Sequence, residues 1–114
     1  MTLSQHEFQI IKEVRQMIDE NVKNRIPIAD LAASHNISES ALAKGFKTVY
    51  HKTIYKYRLE KCMEYAKQLI ENGTPVKVLV IELGYKNNSS FSRAFKKVFF
   101  QVPSKYLPDY VTGR

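Results

Sequence analysis

Apolar residues recur along this chain at intervals of three and four, the spacing of one buried helix face, and nowhere sustain a strand's alternation. Phe8, Ile11, Val14, Ile18 and Val22 form such a stripe and predict a helix over residues 5–23, with Ser4 as its cap. Asn24 and Arg25 end it, and Pro27 introduces a short helix over 28–34. His35-Asn36 supplies a turn, and Ser38 caps a helix over about 39–49 that buries Leu42 and Phe46. A long helix over about 53–72 follows, with Tyr55, Leu59, Cys62, Met63, Ala66, Leu69 and Ile70 as its buried face and Asn72-Gly73 as its stop. Thr74-Pro75 caps and opens a short helix to residue 83. Gly84 then turns the chain into a helix reaching about residue 99. Pro103 starts a final short helix containing Tyr106 and Leu107, which Pro108 stops, and the last few residues are expected to fray. The expected fold is all-α, with about seven helices.

The segment from Gly84 to Lys97 carries the most chemistry. Phe91 and Phe95 are four apart and share one face, so Asn88, Ser89, Ser90, Arg93 and Lys96 point outward. Short polar groups and a guanidinium on an exposed helix suit base edges and phosphates in a major groove. A diverged copy lies upstream. Leu31, Ala32, Asn36 and Ile37 match Leu79, Val80, Gly84 and Tyr85 at an offset of 48. Leu42, Phe46, Lys47 and Tyr57 match Phe91, Phe95, Lys96 and Tyr106 at an offset of 49, which places one extra residue in the second turn region. The chain therefore reads as two helix-turn-helix subdomains, residues 1–52 and 74–114, joined by a long helix over 53–73. A helix of that length spans roughly 30 Å at about 1.5 Å per residue. Successive major-groove faces of B-DNA lie about 34 Å apart, so a rigid helix of that length can hold the two recognition helices one DNA turn apart within one monomer.

Charge sharpens this picture. Residues 1–50 hold six Lys/Arg and six Asp/Glu, whereas residues 51–114 hold twelve and five, which accounts for the whole net charge of +7. A basic half of this kind fits a polyanionic partner. No apolar run approaches the length of a membrane span and no secretory signal is present, so no membrane partner is expected. A single cysteine, Cys62, fits a cytoplasmic location. His6, His35 and His51 are far apart, without ligand spacing to Cys62 or a carboxylate, and no phosphate loop or nucleophile motif is visible. No catalytic residues, metal or cofactor are expected. The alternatives are a helical protein-interaction module without specific DNA binding, which would need an exposed apolar patch, and an RNA binder, for which exposed aromatic platforms are lacking.

Leu79, Gly84-Tyr85, Ser90-Phe91, Arg93-Ala94-Phe95-Lys96-Lys97, and Pro103 with Tyr106 together resemble the signature of the AraC/XylS family of bacterial transcription regulators. The resemblance covers about residues 8–107 and implies an all-helical domain that sets two recognition helices into adjacent major-groove segments of double-stranded DNA. It implies a sequence-specific regulator of activator type, with RNA polymerase as a further partner. By position, it implies base-facing roles for Ser40, Ala43 and Lys44 in the first copy and for Asn88, Ser89, Ser90 and Arg93 in the second. Lys47, Lys96 and Lys97 fall where phosphates are met. Val80, Phe100, Val102 and Ile54 depart from the family's usual Ala, Gly, Thr and Pro. Glu39 reads as a helix-dipole residue in a first turn, the alternative being acceptance from a cytosine amino group. Family members usually carry an effector-binding or dimerising domain on the N-terminal side. A stand-alone regulator and an excised domain both fit this chain, and no effector ligand is expected to bind this segment.

Overall fold

The computed structural model describes residues 3–108. They form α1 (Gln5–Glu20), α2 (Ile28–Ala33), α3 (Glu39–Tyr50), α4 (Ile54–Glu71), α5 (Val76–Glu82), α6 (Asn88–Phe99) and a closing 3-10 turn (Pro103–Tyr106). The expected fraying of the last residues lies outside the described ones. The chain divides into two compact units between Arg58 and Leu59, inside α4.

Local chemistry sets the ends of these helices. At α1, Glu7 N–H donates to Ser4 Oγ and Ser4 N–H donates back to Glu7 Oε1, both at 3.1 Å, a reciprocal capping box. The backbone and hydroxyl of Ser4 hold the Glu7 carboxyl below its ordinary range. The helix stops at Glu20, short of the expected Lys23, because the Asn21 side chain donates to Met17 O at 2.7 Å and takes over the last turn's carbonyl. Val22 therefore falls outside the helix. The apolar face is also rotated: Ile10 joins Ile11, Val14 and Ile18 in the core, while Phe8 is 44% exposed with Lys12 Nζ over its ring. In α4 the first buried residue is Ile54, and Tyr55 is 65% exposed, contrary to its expected packing role. Pro75, rather than Thr74, occupies the cap position of α5.

The first unit buries Ile10, Ile11, Val14, Ile18, Leu31, Ala32, Leu42, Phe46 and Ile54 together. α3 lies tight against α1: a Cβ at the buried Gly45 would stand 2.9 Å from Ile11 Cδ1, so a larger residue there has to displace the end of that side chain. Tyr57 packs edge-on against Phe46 at 5.4 Å and donates its hydroxyl to Asp19 Oδ1 at 2.6 Å. Partial burial and the Asp19 carboxylate push the Tyr57 hydroxyl well above its ordinary range, so it stays a donor.

The second unit repeats this plan more fully than the sequence offsets suggest. Buried Cys62, Met63, Ala66 and Ile70 of α4 stand 52 positions beyond buried Ile10, Ile11, Val14 and Ile18 of α1. The Arg15–Asp19 ion pair at 3.9 Å recurs at the same offset as Lys67–Glu71 at 3.8 Å. The ring cluster Phe46, Tyr50 and Tyr57, with centroids 4.9, 5.4 and 6.4 Å apart, recurs as Phe95, Phe99 and Tyr106 at 4.8, 5.8 and 6.1 Å. Arg15 covers Tyr50 at 5.2 Å, and Lys67 covers Phe99 and Tyr106 at 5.2 and 4.9 Å. Each unit is thus a three-helix core closed by one aromatic residue beyond its last helix.

The copies also share two left-handed residues. Asn36 (φ 54°) and Gly84 (φ 75°) make the turn inside each motif. His51 (φ 61°) and Phe100 (φ 59°) end α3 and α6. Phe100 is 82% exposed, so it offsets its left-handed backbone with little packing. Phe100→Gly is expected to raise unfolding stability by roughly 1 kcal/mol. Denaturant midpoints of the two chains check this, and an unchanged or lower midpoint speaks against strain at this residue.

Candidate nucleic-acid interface

Each unit contains a helix, a turn and a second helix with the same backbone bonds. In the first, Asn36 N–H donates to Ala33 O at 3.2 Å and Ile37 N–H to Ala32 O at 3.1 Å. In the second, Gly84 N–H donates to Ile81 O at 3.2 Å and Tyr85 N–H to Val80 O at 2.9 Å. Both are the crossed pair of bonds that closes a helix on a left-handed residue. The next helix then starts on a side-chain cap: Ser38 Oγ accepts from Ala41 N–H at 3.0 Å, and Asn87 Oδ1 accepts from Ser90 N–H at 2.8 Å. From Ile37 to Ser38 is one step, whereas Tyr85 and Asn87 are separated by Lys86. The extra residue of the second copy is therefore Lys86, an exposed cation directly before the cap of α6. Sequence reading placed the insertion in the turn without singling out this lysine.

Buried Leu42 and Phe46 on α3, and Phe91 and Phe95 on α6, fix which side of each helix faces out. Ser40, Ala43, Lys44 and Lys47 are exposed on α3, and Asn88, Ser89, Arg93, Lys96 and Lys97 on α6. Ser90 differs from its neighbours. Its hydroxyl accepts from Asn87 N–H at 3.3 Å and donates to Asn87 O at 2.9 Å, so the capping box occupies it. Among the described residues no hydrogen bond or ion pair engages the side chains of Asn88, Ser89 or Arg93, which leaves their donors available to a ligand. On α3, Glu39 is exposed in the first turn, and Thr48 Oγ1 turns inward to Lys44 O at 2.8 Å. The α6 surface is thus amide, hydroxyl, guanidinium and two ammonium groups, whereas α3 offers one hydroxyl, a methyl, two lysines and a carboxylate.

A family model described as a helix-turn-helix domain matches residues 31–108. The regulatory protein SoxS of Salmonella typhimurium is 31% identical over 99 residues, covering 86% of this chain and 92% of that protein. The chain belongs to the AraC family of DNA-binding transcription regulators. The fold agrees. A probable AraC family transcriptional regulator from Rhodopseudomonas palustris superposes with a TM-score of 0.77 at 24% identity, over 87% of this chain and 94% of that one. The C-terminal domain of AraT, a response regulator from Geobacillus stearothermophilus, gives 0.77 at 23% identity, over 100% and 89%. As an AraC-family regulator, the chain works by binding DNA rather than by catalysis. Among the described residues no helix is long and apolar enough to cross a membrane, and no group of three or more metal-ligating side chains occurs. His35 is held within the first motif, its Nδ1 2.9 Å from Leu31 O and its Nε2 3.5 Å from Glu13.

Two adjacent amides of this AraC-family chain have opposite roles. Asn87→Ala removes the cap of α6 and is expected to lower unfolding stability by about 1 kcal/mol. Asn88→Ala is expected to change stability by less than about 0.5 kcal/mol, since its side chain makes no internal bond. Thermal or denaturant unfolding of both variants measures this, and equal losses contradict the assignment.

Proposed function

We propose that this regulator recognises a bipartite site in double-stranded DNA, with α3 and α6 in adjacent major-groove segments. The observation that carries the reading is the free polar face of α6 opposite buried Phe91 and Phe95. In this reading Arg93 pairs with a guanine edge and Asn88 reads adenine. Ser89 adds a short hydrogen bond, and Ser90 sets the start of the helix that presents them. On α3, Ser40, Ala43 and Lys44 meet base edges, Ala43 by a methyl contact alone. Lys47, Lys96 and Lys97 serve phosphates, joined by Lys86 in the second turn. In this reading the helix over 53–73 joins subdomains 1–52 and 74–114; α4 runs unbroken for 18 residues, roughly 27 Å, with Ile54 and Tyr57 packed in the first unit and Cys62, Met63, Ala66 and Ile70 buried in the second.

The second unit supplies most base discrimination in this reading, because α6 carries more donors and more positive charge than α3. The regulator acts in the cytoplasm as an activator that engages RNA polymerase, without binding an effector through this segment. Val78 (42% exposed) and Ile81 (81% exposed) on α5 give that reading an apolar surface suited to a protein partner.

Binding titrations against a duplex selected from a random library and a scrambled duplex test the division of labour. Arg93→Ala is expected to cost about 1–3 kcal/mol on the selected duplex and to shrink the preference between the two. Lys44→Ala should weaken both duplexes by similar factors. A greater loss of discrimination from Lys44→Ala reverses the ranking.

The joining role has its own test. Two residues inserted between Arg58 and Leu59, where α4 passes from one unit to the other, rotate everything beyond them by about 200° and keep Cys62, Met63, Ala66 and Ile70 in register with the rest of the second unit. Affinity for the bipartite duplex is expected to fall to that of a single-unit site, as read by anisotropy, while unchanged affinity refutes that role.

A further inference from the structure

The two copies differ most between their first and second helices. The offset falls from 52 at Ile18 and Ile70 to 48 at Leu31 and Leu79, so the first copy carries four extra residues there. This longer loop contains Arg25, two positions before Pro27, the cap of α2. Between them, Ile26 O accepts a hydrogen bond from Arg58 Nη2, reaching back from α4. Arg58 Nε is buried without a partner. The second copy has Leu107 at the position of Arg58.

Arg25 is exposed and adjoins Ile26, the residue that Arg58 reaches; burial first, and the charge of Arg25 second, hold the Arg58 guanidinium below its ordinary range. Among the described residues neither guanidinium has a carboxylate partner. The loop thus brings an exposed cation next to the residue that a partly buried cation engages, with no internal carboxylate on either. Such an arrangement is costly alone and favourable once an anion arrives. One donor of the Arg58 fork is committed to Ile26, and the rest of that planar group is oriented by this bond.

Position names the anion. In a helix-turn-helix unit the first helix of the motif crosses the DNA backbone while the second enters the groove. Arg25 and Ile26 immediately precede that first helix, α2. We propose that Arg25 and Arg58 form a clamp for a DNA backbone phosphate at the entry to α2, a contact that the second unit lacks. Arg25 is the exposed arm and Arg58 the one oriented by its bond to Ile26. The clamp gives the charge-balanced half a sequence-independent hold on the duplex, where its recognition helix offers few donors. This inference rests on the DNA-binding reading of the first unit.

The test is anisotropy on the selected and scrambled duplexes across a salt series, with Arg25→Gln and Arg58→Lys. Arg25→Gln is expected to weaken both duplexes by the same factor and to reduce the slope of log affinity against log salt by about 0.9, the value for one phosphate. Arg58→Lys keeps the charge but loses the fork, so it should retain the slope and still lose several-fold in affinity. A wild-type slope in Arg25→Gln overturns the clamp, as does a change in preference between the duplexes, which indicates a base contact instead. Wild-type affinity in Arg58→Lys removes Arg58 from it. Binding by the unaltered chain and the reduced preference of Arg93→Ala are read in the same series, so failure of the clamp is separable from failure of DNA binding by this chain.

Discussion

Complete burial of Phe46 and Phe95, the corresponding phenylalanines on the second helix of each motif, α3 and α6, is the constraint on which the rest of this molecule depends. A buried aromatic side chain contributes several kcal/mol, and its loss leaves a cavity that a small unit cannot refill. Each of these rings is held by a second ring one turn on and by a tyrosine that arrives from beyond the helix. The recognition helix is thereby fixed in rotation about its own axis. Which residues can meet a base follows from that rotation, since the exposed face is whatever Leu42 and Phe46, or Phe91 and Phe95, leave outside.

The scaffold is duplicated, but its surface chemistry is not. The same turn bonds, cap positions, left-handed residues and ring triads occur in both units. Onto that shared frame the second unit adds Lys86, Asn88, Arg93, Lys96 and Lys97, and the first adds a longer loop with Arg25 and the reach of Arg58. Packing restricts the core positions to apolar residues of suitable volume, whereas exposed positions are free to diverge. In the proposed reading, the clamp at α2 and the polar face of α6 are two different ways to grip a polyanion, one through charge alone and one through directed donors.

What the sequence revealed was mostly what is local. Asn36 and Gly84 announce left-handed turns, and Ser38 announces a cap, because each acts within four residues of itself. The repeat of α2–α3 in α5–α6 was legible because side-chain identities survive there. The matching repeat of α1 in α4 was not: Ile10 has become Cys62 and Val14 has become Ala66, and the offset changes by four across the loop. Phe8 and Tyr55 were misassigned because periodicity defines a stripe but not its edges. Both lie in the first turn or so of their helices, where one residue, from Tyr55 to Ile54, is about 100° around the axis and two, from Phe8 to Ile10, about 200°. The Arg58–Ile26 bond joins residues 32 positions apart, and nothing in either segment alone points to it.

The central claim is that two equivalent frames carry unequal reading surfaces. Measuring the affinity of the unaltered chain for every single base-pair substitution across a selected duplex tests it most directly. Penalties of about 1–3 kcal/mol are expected to concentrate in the groove segment assigned to α6 by its loss in Arg93→Ala, with small penalties in the other segment. Equal penalties in both segments, or larger ones in the segment assigned to α3, would contradict it.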